Sequence, residues 1–304
     1  MHNGQVNTSA PWVCEQIVRE IDRIGFGAHG LHVRVGGPAG DTEAAHRWQP
    51  DVREEIHSVS KAVCVLAAAL AEAEGKVSLD APLASYVDGV AFGAGVGDRT
   101  LRHLLTMSSG IDLPWSETMM TDWPDLAHEF LGRDAAGHTF QYSNASSYAA
   151  MWVLAGCVGD VLEYAQTRLF DPIGIPDVTW ARCPNGRVLA GEGIALRTEE
   201  MARLGRLIRD RGVWGGRQLV PAAAVDAMHS DWRAAGDSPG YERYAMAGWD
   251  GPGDAWRLHG AYGQLVILRG DAVVTVSAHD HFGADGAAAA IVEVLARRDE
   301  RPSR

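Results

Sequence analysis

Lysine is almost missing from this chain of 304 residues: among 27 basic side chains only Lys61 and Lys76 are lysines, and the rest are arginine. Where a positive charge suffices, arginine supplies it. A lysine that persists is then a candidate for chemistry that a permanently protonated guanidinium cannot perform. Lys76 follows Gly75 near an expected helix end and needs no such explanation, whereas Lys61 does. A basic stripe is missing too. The formal charge is −12, which argues against a nucleic-acid partner and is accounted for by a solubilising surface. No long apolar run exists: Ala62–Leu70 falls far short of the roughly 20 residues that span a bilayer, so no membrane partner is expected. Met1–Asn7 carries neither the cationic head nor the apolar run of a secretory signal, and a cytoplasmic location is expected. The four cysteines, Cys14, Cys64, Cys157 and Cys183, form no C-x-x-C pair, and three of them lie in apolar surroundings expected to bury them as reduced thiols. There is no G-x-S-x-G elbow, phosphate loop or dinucleotide fingerprint, and no cofactor is expected. The pair His279-Asp280-His281 lacks a third ligand at useful spacing, so no metal is expected either.

What is present is ordered by periodicity. Trp12–Ile24 repeats apolar residues at helical spacing and stops at Gly25; Leu31–Val35 and Ala44–Gln49 follow as strands. A strong apolar helix is expected from Ser58 to about Glu74, stopped by Gly75. Further helices are expected over Thr100–Met107, Asp125–Leu131, Ser146–Val158, Val161–Leu169, Thr198–Arg211 and Ala222–His229. After Trp249 the pattern becomes strand-like at Ala255–His259, Gln264–Arg269 and Ala272–Ala278, and Gly286–Arg298 is a closing helix. Strands and helices at both ends imply one antiparallel sheet assembled from residues 11–57 and 246–304, its faces covered by helices. Residues 58–245 are expected as a mostly helical insertion, with the functional site at the junction. The fold class is α/β (α+β).

Ser58 and Lys61 open the longest apolar helix. Three residues apart on a helix they share a face, so hydroxyl and amine can meet. A serine in the first turn also has its own N–H among the unbonded donors of the helix start, where an oxyanion formed at an attacked carbonyl would be stabilised. Acting as a base requires an uncharged amine, a form that burial under an apolar helix favours. The bland alternative is a Ser N-cap followed by a surface lysine. The scarcity of lysine and the apolar flank Ala62, Val63, Val65 and Leu66 weigh against it.

The stretch HSVSKAVCVLAAALAEAEGKVSLDAPLASYV, the later RTLRHLLTMSSGI and then Phe140-Gln141-Tyr142-Ser143-Asn144 resemble the class C β-lactamase-like serine hydrolases, the penicillin-recognising S-x-x-K enzymes. The resemblance runs from about Glu55 to Gly270. It implies a β-lactamase/transpeptidase-like fold, with Ser58 as nucleophile and Lys61 and Tyr142 as the acid–base pair. Asn144 would position the substrate amide or the lysine. The family's third motif, K-T-G, is where the chain departs: Leu258, His259 and Gly260 stand there. That alignment makes the N–H of Ala261 the second oxyanion donor beside Ser58, and a frame shift of one residue would move the donor to Tyr262. The missing lysine puts β-lactam and D-alanyl peptide substrates in doubt, with Arg257 or His259 as candidate replacements. His259, Gly260, Tyr262, Trp115 and Trp123 complete the substrate-binding set, the two tryptophans because their loop faces the site in relatives. His57 is read as packing at the strand–helix junction.

The resulting expectation is a serine acyl-enzyme hydrolase acting on a small-molecule ester or amide, in the style of esterases and nylon-oligomer hydrolases of this fold. An acyltransferase of small-molecule biosynthesis, a β-lactamase or D-alanyl peptidase, and a non-enzymatic ligand sensor remain open alternatives.

Overall fold

The computed structural model describes residues 9–37, 40–114, 125–137, 139–238 and 240–300. Its helices are α1 (Ala10–Ile24), α2 (Ser60–Ala73), α3 (Leu101–Leu105), α4 (Leu126–Leu131), α5 (Asn144–Val158), α6 (Val161–Ala165), α7 (Thr198–Arg209), α8 (Ala222–Asp226) and α9 (Ala284–Asp299). Its strands are β1 (Ala28–Val35), β2 (Thr42–Arg47), β3 (Glu54–Glu55), β4 (Thr179–Trp180), β5 (Ile194–Leu196), β6 (Val213–Trp214), β7 (Arg217–Gln218), β8 (Arg233–Ala234), β9 (Arg243–Tyr244), β10 (Trp249–Asp250), β11 (Trp256–Gly260), β12 (Gln264–Arg269) and β13 (Ala272–Ala278).

An antiparallel sheet of eight strands runs in the order β2-β1-β13-β12-β11-β10-β9-β8, so strands from both chain ends meet where β1 pairs with β13. The pairing is driven by burial on both faces. Leu265 and Ile267 of β12, with Val274 and Val276 of β13, face a core closed by α1 and α9. Their neighbours Val266, Leu268 and Val273 face the opposite core, where α7 packs on β13, β12 and β1. This period of two is the pleat itself. On α1, Val13, Ile17 and Ile21 are buried at helical spacing, and Gly25 ends the helix in the left-handed conformation.

The sheet extends further back than position 246, because β8 and β9 form its far edge, and α7, from the middle of the chain, covers one of its faces. Strands of two residues arise from pairing and carry no periodicity of their own, and a helical pattern does not say which layer the helix will cover. The remaining helices enclose α2, in which every residue from Ser60 to Ala71 is buried. A helix apolar all round belongs at the centre of a core. Cys14 and Cys64 are buried, but Cys157 and Cys183 are only half-buried, one fewer buried thiol than expected; none of the four is in a disulfide. Among the described residues no single helix is long and apolar enough to cross a membrane.

Candidate active site

The residues around Ser58 are held from behind by a small sheet. Glu54 and Glu55 pair with Leu196 and Ala195, and Ile56 N–H donates to Ile194 O at 2.9 Å. His57 then takes a left-handed φ of 47°, which turns the chain sharply into a short 3-10 turn, His57–Val59, that leads into α2. The first N–H bonded within this turn is that of Val59, which donates to Ile56 O, so the Ser58 N–H carries no bond inside it. The helix expected to begin at Ser58 therefore begins at Ser60, with Ser58 on the tight turn ahead of it.

Lys61 is 3% exposed, which excludes the surface-lysine reading. Its Nζ lies 3.0 Å from Ser58 Oγ, 2.7 Å from Asn144 Oδ1 and 2.9 Å from Gly191 O. The two carbonyl oxygens can only accept. An uncharged amine has two N–H bonds and one lone pair. A charged ammonium would donate to all three oxygens; an uncharged amine that donates to Asn144 and Gly191 would turn its lone pair to Ser58 Oγ. The arrangement can receive a proton from the hydroxyl without moving a heavy atom.

Tyr142 stands beside this pair, its ring centroid 4.7 Å from Lys61 Nζ. The segment carrying it is pinned on both sides: Gln141 N–H donates to Met107 O at 2.9 Å, and Ser143 Oγ donates to Leu113 O at 2.5 Å. Its ring is wedged against Tyr244, edge-on at 5.7 Å, and Trp249 at 5.4 Å. Asn144 is the first residue of α5, and Gly191 packs directly on it, since a Cβ at 191 would lie 2.6 Å from Asn144 Oδ1. Below Gly191, the Cys64 thiol donates to Ala190 O at 3.2 Å; burial pushes that thiol up to about 12, so it stays protonated and keeps donating.

The far wall comes from β11 and the turn Ala261–Gly263. A Cβ at Gly260 would meet Ile56 O at 2.4 Å, so glycine is what lets the strand end lie against the segment before Ser58. Ala261 and Tyr262 line a cleft of about 810 Å³ together with Ser58, Tyr142 and Asn144. His259 does not line it. Gly260 faces Ile56, and strand alternation turns His259 to the other side, where its Nδ1 accepts from Arg257 Nε at 3.3 Å. Arg257 is 1% exposed and donates to Gly251 O, Gly240 O and Asp285 Oδ1, so neither side chain replaces the missing lysine in the cleft. Position 258, on the cleft side of the strand, is a buried leucine. Trp115 and Trp123 lie outside the described residues.

No sequence pattern singles out Gly191, a backbone acceptor, or the cleft-lining acids Glu55 and Glu192. For Gly191 and Glu192 the one signal is the glycine-rich Gly191-Glu192-Gly193 itself. His57, read as a packing residue, also lines the cleft, its ring 5.1 Å from that of Tyr262. Among the described residues no cluster of three or more His, Cys, Asp or Glu is arranged to hold a metal. In the His279-Asp280-His281 segment, Asp280 instead accepts from Gly27 and Gly283 N–H, and His279 stacks on Tyr262 at 4.8 Å.

Comparisons with known proteins bear on the family and the fold. A family model described as Beta-lactamase matches residues 23–297. The 6-aminohexanoate-dimer hydrolase of Paenarthrobacter ureafaciens is 27% identical over 203 residues, 60% of this chain but only 52% of that protein, so the match spans about half the relative's length. Among solved structures, a class C beta lactamase from Rhodobacter sphaeroides superposes with a TM-score of 0.70 at 20% identity, covering 97% of this chain and 100% of that one. A D-stereospecific amidohydrolase from Streptomyces sp. gives 0.67 at 16% identity, covering 93% and 98%. The two structures share the β-lactamase/transpeptidase fold with this protein, and the family match runs over nearly its whole length: the chain belongs to the beta-lactamase family of serine hydrolases.

Proposed function

We propose that this protein is a serine acyl-enzyme hydrolase of small-molecule amides or esters, with Ser58 as nucleophile and Lys61 and Tyr142 as its acid–base pair. The observation that carries the reading is the placement of the buried Lys61 Nζ, 3.0 Å from Ser58 Oγ, where the uncharged amine can take the hydroxyl proton. In the first step Ser58 Oγ bonds to the substrate carbonyl carbon as its proton passes to Lys61 Nζ. The carbonyl π electrons move to oxygen, where the N–H groups of Ser58 and Ala261 hold the charge. The tetrahedral adduct then collapses, the bond to the leaving group breaks, and Tyr142 relays the proton to it. Water attacks the acyl-enzyme along the reverse path, giving up its proton to the same pair and releasing the acid and Ser58.

Amides and esters without the carboxylate of β-lactams and D-alanyl peptides are favoured, because the anion-binding lysine of the third motif is replaced by Leu258, buried in the core. The names of the amide-cleaving relatives point the same way. The test is turnover of an activated ester and its anilide by variants. Ser58→Ala is expected to fall by about 10³-fold or more, and Lys61→Arg nearly as far, since guanidinium fills the space but cannot take the proton. Near wild-type turnover by Lys61→Arg would refute the base assignment. Faster transfer of the acyl group to an added amine than to water would replace hydrolysis with acyl transfer as the reaction.

A further inference from the structure

We propose that the cleft selects substrates bearing a positively charged group, an ammonium or a guanidinium, with Glu192 as the recognising residue and Glu55 beside it. The inference rests on the reading of Ser58 as nucleophile. The pair Ser58 and Lys61, and not the carboxylates, is what marks the cleft as a ligand site; the carboxylates decide which ligand.

Both acids line the cleft that holds Ser58, Tyr142 and Asn144, and both are tied to the reacting atoms through the backbone. Glu55 ends β3 just ahead of Ser58, and its Oε1 accepts from Gly193 N–H at 2.9 Å, which fixes its direction. Glu192 follows Gly191, whose carbonyl holds Lys61. The Glu192 carboxylate makes no hydrogen bond or ion pair among the described residues, although it lines a cleft where a charged partner can enter. His57 lies 3.6 Å from Glu55 Oε1 and feels the field of both carboxylates.

No lysine or arginine is among the described lining residues. Lys61 lies beneath the floor, committed to Asn144 and Gly191, and Arg257 is buried on the far side of β11 with Asp285 as its counter-ion. Burial pushes the His57 imidazole below the usual histidine range, so at neutral pH it adds no fixed charge. An anionic substrate therefore meets two like charges with no lysine or arginine among the described lining residues to offset them, while a cation meets complementary ones. Phe282, 94% exposed at the mouth, adds an open aromatic face on which a cation can rest. The net charge of −12 extends the same preference to the approach.

Three p-nitrophenyl esters of matched length separate the possibilities: a pentanoate ending in trimethylammonium, the same chain ending in tert-butyl, and the half-ester of adipic acid. At low ionic strength the full-length protein is expected to favour the cation over its neutral twin by at least about tenfold in kcat/KM, with the anion last. The ratio is expected to shrink towards one in high salt and in Glu192→Gln. Because the ratio is taken within one preparation, partial unfolding of a variant cannot produce the change. A ratio near one in the wild type, or an unchanged ratio in Glu192→Gln, overturns the charge preference while turnover of the neutral ester keeps Ser58 as nucleophile. Failure of all three esters to acylate Ser58 overturns both readings.

Discussion

At position 259 the sequence pattern led towards substrate and the structure leads away from it. Arg257 Nε donates to His259 Nδ1, so a proton added there would point at a guanidinium. Burial, followed by the charges of Arg257 and His281, pushes the imidazole down to about 3. In the unfolded chain a histidine titrates near about 6.5. Between those values the unfolded state binds a proton that the native state does not. The stabilisation is complete above pH 6.5 and is lost as pH falls towards 3, at about 1.4 kcal/mol per unit. The urea midpoint of the wild type is expected to drop more steeply from pH 7.5 to pH 5 than that of His259→Gln. Parallel slopes would contradict the buried neutral state. Residue chemistry was legible where a side chain was anomalous, as at Lys61, the lone lysine inside an apolar helix. It was not legible where strand parity decided the outcome, because shifting the register by one residue exchanges His259 for Leu258.

Among the elements, the one that matters most to the site is an irregular segment. Residues 190–193 deliver a carbonyl to Lys61, pack against Asn144 and place Glu192 in the cleft. In Gly191→Ala the new methyl would sit 2.6 Å from Asn144 Oδ1, so either α5 or the segment must shift, and Lys61 loses an acceptor. We expect a fall of roughly 10²-fold in kcat with the chain still folded, read by esterase kinetics beside circular dichroism. Unchanged kcat would show that the two acceptors do not set the lysine. The sequence marked α1, α2, α5, α7, α9, β12 and β13 within a few residues, because each is long enough to show a period and is buried on a defined face. It could not mark β8, β9 or β10, two residues each, or the break after α6, where Gln166–Phe170 forms a π-helical turn. A backbone carbonyl such as that of Gly191 has no sequence signature, since every residue carries one.

On the scale of the whole molecule, the two chain ends close one sheet, and the helical body encloses α2 in the larger core. The site forms where β11 runs against the turn before α2, at the contact that Gly260 permits. That architecture was legible because strand patterns flank a helical middle, and the motifs around Ser58, Tyr142 and Gly260 fell at its junction. The division at 246 was less so, because the sheet recruits its last edge and one covering helix from the middle of the chain. The proposed reaction requires Ser58 Oγ to be the atom that takes the acyl group. Intact-mass analysis and peptide mapping after brief exposure to an activated ester test this directly. A single acyl adduct on Ser58 is predicted, absent from Ser58→Ala and formed far more slowly in Lys61→Arg; an adduct on another residue, or one that survives Ser58→Ala, would contradict it.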